Sequence, residues 1–293
     1  MEPTLERPDM RYWRIDPDPR LRRGIVCYFV ALPAIDARPS VWQSELLLPD
    51  GYSELVFSLT SQFERWPVNE PDKRSTMRSS YLIGGRTHSV QTRNLGDLTI
   101  IGVKLDSGLL RQLIATPLSE LRDTTLSIAD LNHRGLLELE DALANASTVE
   151  CIAELLNAFF LARWHLFGPR DRLVTDLLGH IQATQGALPI LRWIRERGVD
   201  IRHFERRFCA WTGMTPKRYA RIVRFRHGYF RLLRGEAHRG AVGLHLEDFY
   251  DQSLFYRECK YFLGASPSAR LADAMSQGTD ISDHLLEGEL RSA

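Results

Sequence analysis

Arginine dominates the side chains of this sequence that could grip another molecule. In the segment Asp200–Tyr219 (DIRHFERRFCAWTGMTPKRY), Phe204, Phe208 and Trp211 stand at i, i+4 and i+7. A helix through them turns one aromatic face inward. Arg202, His203, Arg206 and Arg207 then fall on its outer faces. A guanidinium is a planar fork of donors that matches a guanine edge or a phosphate. The chemistry on offer is therefore non-covalent: a basic helix placed in a groove of DNA. An ordinary amphipathic helix with a solvated basic face has the same pattern, and one segment cannot choose between the two.

A second segment, Gln252–Arg270 (QSLFYRECKYFLGASPSAR), tips the balance. At an offset of 51 residues Phe204 falls on Phe255, Arg206 on Arg257, Gly213 on Gly264 and Pro216 on Pro267, while Trp211 falls on Phe262. Four identities in one order describe a supersecondary unit used twice. With two copies, DNA binding becomes the better reading.

No other constellation competes. His88, His133 and His165 stand at no metal-ligand spacing, so no metal and no cofactor are expected. Cys27, Cys151, Cys209 and Cys259 form neither a zinc pattern nor a disulfide framework and read as reduced thiols. A phosphate loop and a nucleophile elbow are both missing, so no catalytic residue is assigned and the chain reads as a non-enzyme.

Charge follows the same division. Residues 1–169 hold 18 Lys/Arg against 22 Asp/Glu, residues 170–277 hold 19 against 11, and residues 278–293 hold one against four. A basic segment joined to a mildly acidic one fits a nucleic-acid module coupled to a domain with another task. No apolar run reaches membrane-spanning length, and the charged start MEPTLERPDMRYWR has no secretory apolar core, so a cytoplasmic protein is expected.

The elements that must position the arginines follow from local signals. Asp200 is suited to an N-cap, Gly213 to a left-handed C-cap and Pro216 to a first helical position. Leu188–Arg197, stopped by Gly198, supplies the first helix of the first unit, and Pro216–Gly235 is a long connecting helix. Ala241–Leu246 is expected to begin the second unit as a helix, weakened by its glycines. Asp171–Thr184 precedes the first unit, and Gly168-Pro169 marks the domain boundary.

Upstream, residues 1–20 read as an arm. Strands are expected over Gly24–Leu32, Gln43–Leu48, Tyr52–Leu59, Tyr81–Ile83, Ser89–Thr92 and Leu98–Leu105, with a turn at Pro49-Asp50-Gly51 and a loop over 64–80. Helices follow at Ser107–Ala115, Leu136–Ala144 and Val149–Phe167. In the last, Ile152, Leu155, Leu156, Phe159, Phe160 and Trp164 make one apolar stripe. The stripe is either an inner core face or the face of a homodimer, and it is the candidate dimerisation surface.

Residues 170–277 resemble the DNA-binding region of AraC-type bacterial transcription regulators, through HFERRFCAWTGMTPKRYARIVRF (His203–Phe225) and FYDQSLFYRECKYFLGASP (Phe249–Pro267). The family pattern has Asp-Gln-Ser, Arg-x-Phe-Lys and Gly-x-x-Pro. This chain departs from it at Asp248, Cys259 and Ala269. LPDGYSELVFSL (Leu48–Leu59), IGG (Ile83–Gly85) and GVKLDSGLLRQLIATPLSEL (Gly102–Leu121) resemble a sensor-type domain of some members.

The resemblance implies an α+β chain. A small cupin-like β-barrel with following helices (21–167) would bind an effector or dimerise, and two helix-turn-helix units joined by a long helix (170–277) would bind double-stranded DNA. Residues 278–293 would be an acidic tail. It places Arg202, Glu205 and Arg206 of the first unit, and Gln252, Ser253, Tyr256 and Arg257 of the second, toward base edges. Arg207, Lys217, Arg218 and Arg221 are expected to touch phosphate or solvent. The first unit is expected to carry most of the binding. The effector-binding residues are unknown. The alternatives are a DNA-binding regulator whose N-terminal domain only dimerises and, more distantly, a cupin-type enzyme.

Overall fold

In the N-terminal part, strand side chains alternate between two faces, and both faces are covered. This architecture is seen in a computed structural model that describes residues 1–6, 10–34, 45–60, 62–95, 99–114, 116–168, 171–233, 238–240, 243–245 and 252–269. The strands are β1 (Leu5–Glu6), β2 (Met10–Ile15), β3 (Ile25–Pro33), β4 (Glu45–Leu47), β5 (Ser53–Ser58), β6 (Phe63–Pro67), β7 (Ser75–Met77), β8 (Tyr81–Ile83), β9 (Val90–Asn94) and β10 (Ile100–Leu105). Then come α1 (Ser107–Leu113), α2 (Leu118–Leu121), β11 (Thr125–Ser127), α3 (Arg134–Ala144), α4 (Val149–Arg163) and a single 3-10 turn at Trp164–Leu166.

Among the described residues, seven strands form one antiparallel sheet in the order β1-β2-β3-β10-β5-β8-β11, and four form another, β4-β9-β6-β7. The two do not close into the expected cupin-like barrel. On one face of the larger sheet Trp13, Tyr28, Val30, Leu55, Phe57, Leu82, Ile101 and Val103 pack against leucines of α1 and α3 and against α4. On the other face Phe63 of the smaller sheet packs with Val56, Tyr81 and Ile83, and Phe29 and Ile100 lie against them.

Two further expectations are corrected here, and one open reading is decided. The arm at 1–20 contains β2, which pairs along its whole length with β3, because Tyr12 and Trp13 each find a covered face. The loop over 64–80 is a hairpin, β6 with β7, followed by β8; Pro67 ends β6 and so does not interrupt the ladder. The α4 stripe faces inward: Ile152, Leu156, Phe159 and Phe160 are buried in the chain's own core, and Leu155 and Trp164 pack half-buried against it. The stripe is thus the inner core face, the first of its two readings, with Leu155 and Trp164 left half exposed.

The helical C-terminal part comprises α5 (Arg172–Ala183), α6 (Ile190–Glu196), α7 (Ile201–Thr212), α8 (Pro216–Leu233), two short strands β12 (His238–Gly240) and β13 (Gly243–His245), and α9 (Gln252–Leu263). A further correction falls here. Residues expected to begin a helix at 241–246 instead contribute β13, which pairs antiparallel with β12. The glycines at 240 and 243 disfavour a helix and suit a tight reversal. Residues 246–251, with Asp248, and the tail 278–293 lie outside the described residues. The helical core draws on Trp193, Phe204, Phe208, Tyr219, Phe225, Phe255 and Phe262, and it takes in Leu46 and Leu48 from the N-terminal part.

Candidate nucleic-acid interface

Helix α7 is built by its ends. The Asp200 carboxylate accepts from the His203 N–H at 2.7 Å, satisfying one of the free donors of the first turn. Gly213 closes the helix at φ 75°, where a side chain would be strained. Between the caps Phe204 and Phe208 are buried against Trp193 of α6 and Tyr219 of α8. Helices α6 and α7 pack against each other across the turn at 197–200. The opposite side of α7 presents Arg202, His203 and Arg206 to solvent, with Glu205 half-buried beside them.

Helix α9 repeats this construction. Phe255, Cys259 and Phe262 are buried at i, i+4 and i+7, and Gly264 follows at φ 68°. Cys259 stands 51 residues after Phe208 and fills the same inner position; burial pushes its thiol up to about 12. The correspondence extends to the next turn. Thr215 Oγ1 accepts from Arg218 N and Ser266 Oγ accepts from Ala269 N, both at 3.3 Å. On the outer side Ser253 and Arg257 are exposed and Tyr256 is half-buried. Arg257 Nε also donates to the Ser253 carbonyl at 3.3 Å. The Gln252 side chain lies outside the described residues.

The expected phosphate contacts divide. Lys217 is exposed. Arg207 makes a two-pronged pair with Asp171 at 2.9 and 2.7 Å, tying α7 to the start of α5. Arg221 donates to the buried Glu258 at 2.7 Å and lies 4.0 Å over the Tyr261 ring, joining α8 to α9. Arg218 donates to the Tyr261 hydroxyl at 3.1 Å. These three guanidiniums are engaged within the chain. Their partners lie 36, 37 and 43 residues away, beyond any local pattern.

Sequence reasoning also passed over the contacts between the two parts. Helix α7 packs against α1 and α2. Trp211 lies over Gly108, Met214 against Gly85, and Arg226 of α8 donates to the Asp50 carbonyl at 3.3 Å. Asp50 in turn pairs with Lys104 at 2.6 Å, and Glu54 pairs with Arg86 at 2.6 Å; all four side chains are buried. Burial alone would raise the Asp50 carboxyl, but Lys104, Arg86 and Arg226 outweigh it and hold it at about 2. The only advance signal was the Pro49-Asp50-Gly51 turn.

A family model described as a domain of unknown function (DUF6597) matches residues 13–127. No curated protein matches the sequence. Among solved structures the chain is similar to ToxT from Vibrio cholerae. The first of these shares 12% identity, covers 79% of this chain and 94% of that one, and has a TM-score of 0.44. A second ToxT structure shares 11% identity over 82% and 96% of the two chains, with a TM-score of 0.43. The AraC-like transcriptional activator CuxR shares 12% identity over 95% and 91%, with a TM-score of 0.26.

Proposed function

We propose that this chain is an AraC-type transcription regulator that binds double-stranded DNA through α7 and α9. The observation that carries the reading is the repeated unit. Two helices with the same buried face and the same glycine cap present basic side chains at equivalent outer positions, Arg206 and Arg257. A helix in the major groove reads base edges from its N-terminal turns while neighbouring groups hold phosphates. Arg202, Glu205 and Arg206 are the readers in the first unit; Ser253, Tyr256 and Arg257 occupy the corresponding place in the second, with Gln252 preceding them. Lys217 is the remaining phosphate contact.

In this reading residues 170–277 are the DNA-binding domain and the preceding sheets and helices are its regulatory partner. A small polar effector held against the larger sheet is the ligand that partner would take. The buried Tyr12 hydroxyl of β2 has no hydrogen-bond partner among the described residues, which supports the assignment. Selection of bound fragments from random duplex DNA tests the function directly. A split site with two half-sites about one helical turn apart is expected, bound less tightly as salt rises. Failure to enrich any sequence, or affinity indifferent to salt, would remove the reading.

A further inference from the structure

The N-terminal part touches both candidate reading helices, and it touches them at the same place. In the first unit Gly213, the left-handed cap of α7, lies so close to α2 that a Cβ there would sit 2.9 Å from the Leu118 carbonyl oxygen. Two residues earlier Trp211 covers Gly108 of α1, where a Cβ would lie 2.5 Å from the indole ring. In the second unit Gly264, 51 residues on, meets Val68 in the same manner, at 2.4 Å. Beside it Asn69 Nδ2 donates to the Tyr261 carbonyl at 2.8 Å, and His88 Nε2 lies 3.1 Å from the Tyr261 hydroxyl. His88 is itself held from behind by Thr87 Oγ1, 3.1 Å from its Nδ1, and Thr87 is bound to Asp123.

Both contacts fall at the C-terminal ends of α7 and α9. The N-terminal turns, with exposed Arg202, Arg206, Ser253 and Arg257, stay clear of them. One body, the paired sheets with α1 and α2, thereby holds two helices at two separated points. Helix α8 joins the same two units, so their separation and relative rotation are set twice.

We propose that the N-terminal part is a clamp that fixes the spacing and phase of the two half-sites the chain accepts. This rests on the DNA-binding reading above. Two helices held by α8 alone could pivot about it and tolerate half-sites a base pair closer or farther; gripped also at their glycine caps, they accept one spacing.

The test uses the full chain and substitutions on the N-terminal side, away from every candidate DNA contact. In the Asn69→Ala/His88→Ala variant the polar contacts that grip α9 are removed, and only the packing of Val68 against Gly264 is left. Backbone hydrogen exchange over 252–263, measured without DNA, should rise by about 3- to 10-fold, the equivalent of one or two lost hydrogen bonds. On duplexes whose half-site spacing changes one base pair at a time, the preference of the wild type for its best spacing over its neighbours should fall by a similar factor. Both side chains are at least partly exposed, so folding should survive; Asn69→Ala alone, which removes one exposed side chain, repeats the measurement if it does not.

Unchanged exchange or an unchanged spacing preference overturns the clamp. Tighter binding of the variant at every spacing also overturns it, because the contacts would then oppose DNA binding. If the wild type binds no DNA at all, the function falls and the spacing role with it, whereas the exchange result still reports whether the grip on α9 exists.

Discussion

Arg206 and Arg207 are neighbours with different duties. Arg206 is exposed on the outer face of α7, whereas Arg207 reaches Asp171 at the start of α5. Replacing Arg206 with Ala should weaken binding to the selected site by about 1–3 kcal/mol and relax the base preference at one position, with binding to random DNA little changed. Gel-shift titration against the selected and a scrambled site measures this, and equal affinity for the selected site would show that Arg206 reads no base. Arg207→Ala should instead lower stability, by about 1 kcal/mol for a partly exposed pair, and leave base preference where it was. Urea denaturation beside the same titration separates the two roles. A sequence pattern places both arginines outside the aromatic face; it cannot show which one meets a carboxylate from another helix.

At the scale of the element, the ends of α7 matter as much as its face. Asp200 caps the first turn, and the helix dipole favours its charge there. Asp200→Ala should cost about 0.5–2 kcal/mol of stability, while Asp200→Ser should recover most of it, because the hydroxyl accepts the same bond. Thermal unfolding checks both, and an Ala variant as stable as the wild type would mean that the cap contributes nothing. The same signals that made α7 legible, a capping Asp, an aromatic face and a closing Gly, are thinner around 238–245. There the glycines give no helix period, and the paired strands β12 and β13 take its place. The inward turn of the α4 stripe has a similar cause. Its apolar residues mark a covered face, and the larger sheet supplies the cover.

Across the whole molecule, two buried ion pairs, Asp50–Lys104 and Glu54–Arg86, lie in the N-terminal part among the described residues, and the first is linked to α8. Breaking a buried pair by removing one partner leaves an uncompensated charge, so Lys104→Met should destabilise the chain by about 3–5 kcal/mol at neutral pH. The Asp50 carboxyl is held at about 2 in the folded chain, below the ordinary carboxylate value of about 3.9. A folded-state value lowered in this way adds stability above the ordinary value and loses it as pH falls toward the folded one. Stability should therefore drop between about pH 4 and pH 2 in the wild type, and this component should be absent from Asp50→Asn. Denaturant midpoints across that range decide it; identical pH profiles would mean that Asp50 is not the group responsible.

The amino-acid sequence by itself determined what depends on near neighbours. The strands β3, β5 and β10, the limits of α7 and the left-handed cap at Gly213 all rest on residues within a few turns of one another, and the 51-residue repeat is two such local patterns compared. Those signals carried the α+β class and the exposed faces of α7 and α9. Only the tertiary structure decided which of the arginines remain open to a partner, that the first strands belong to the larger sheet, that two open sheets stand where a barrel was expected, and that the N-terminal part grips both repeats. Each of these turns on groups far apart in the chain, such as Asn69 and Tyr261 at a separation of 192 residues. Hydrogen bonding, charge pairing and burial act through space, and a local pattern carries no record of which distant group will arrive.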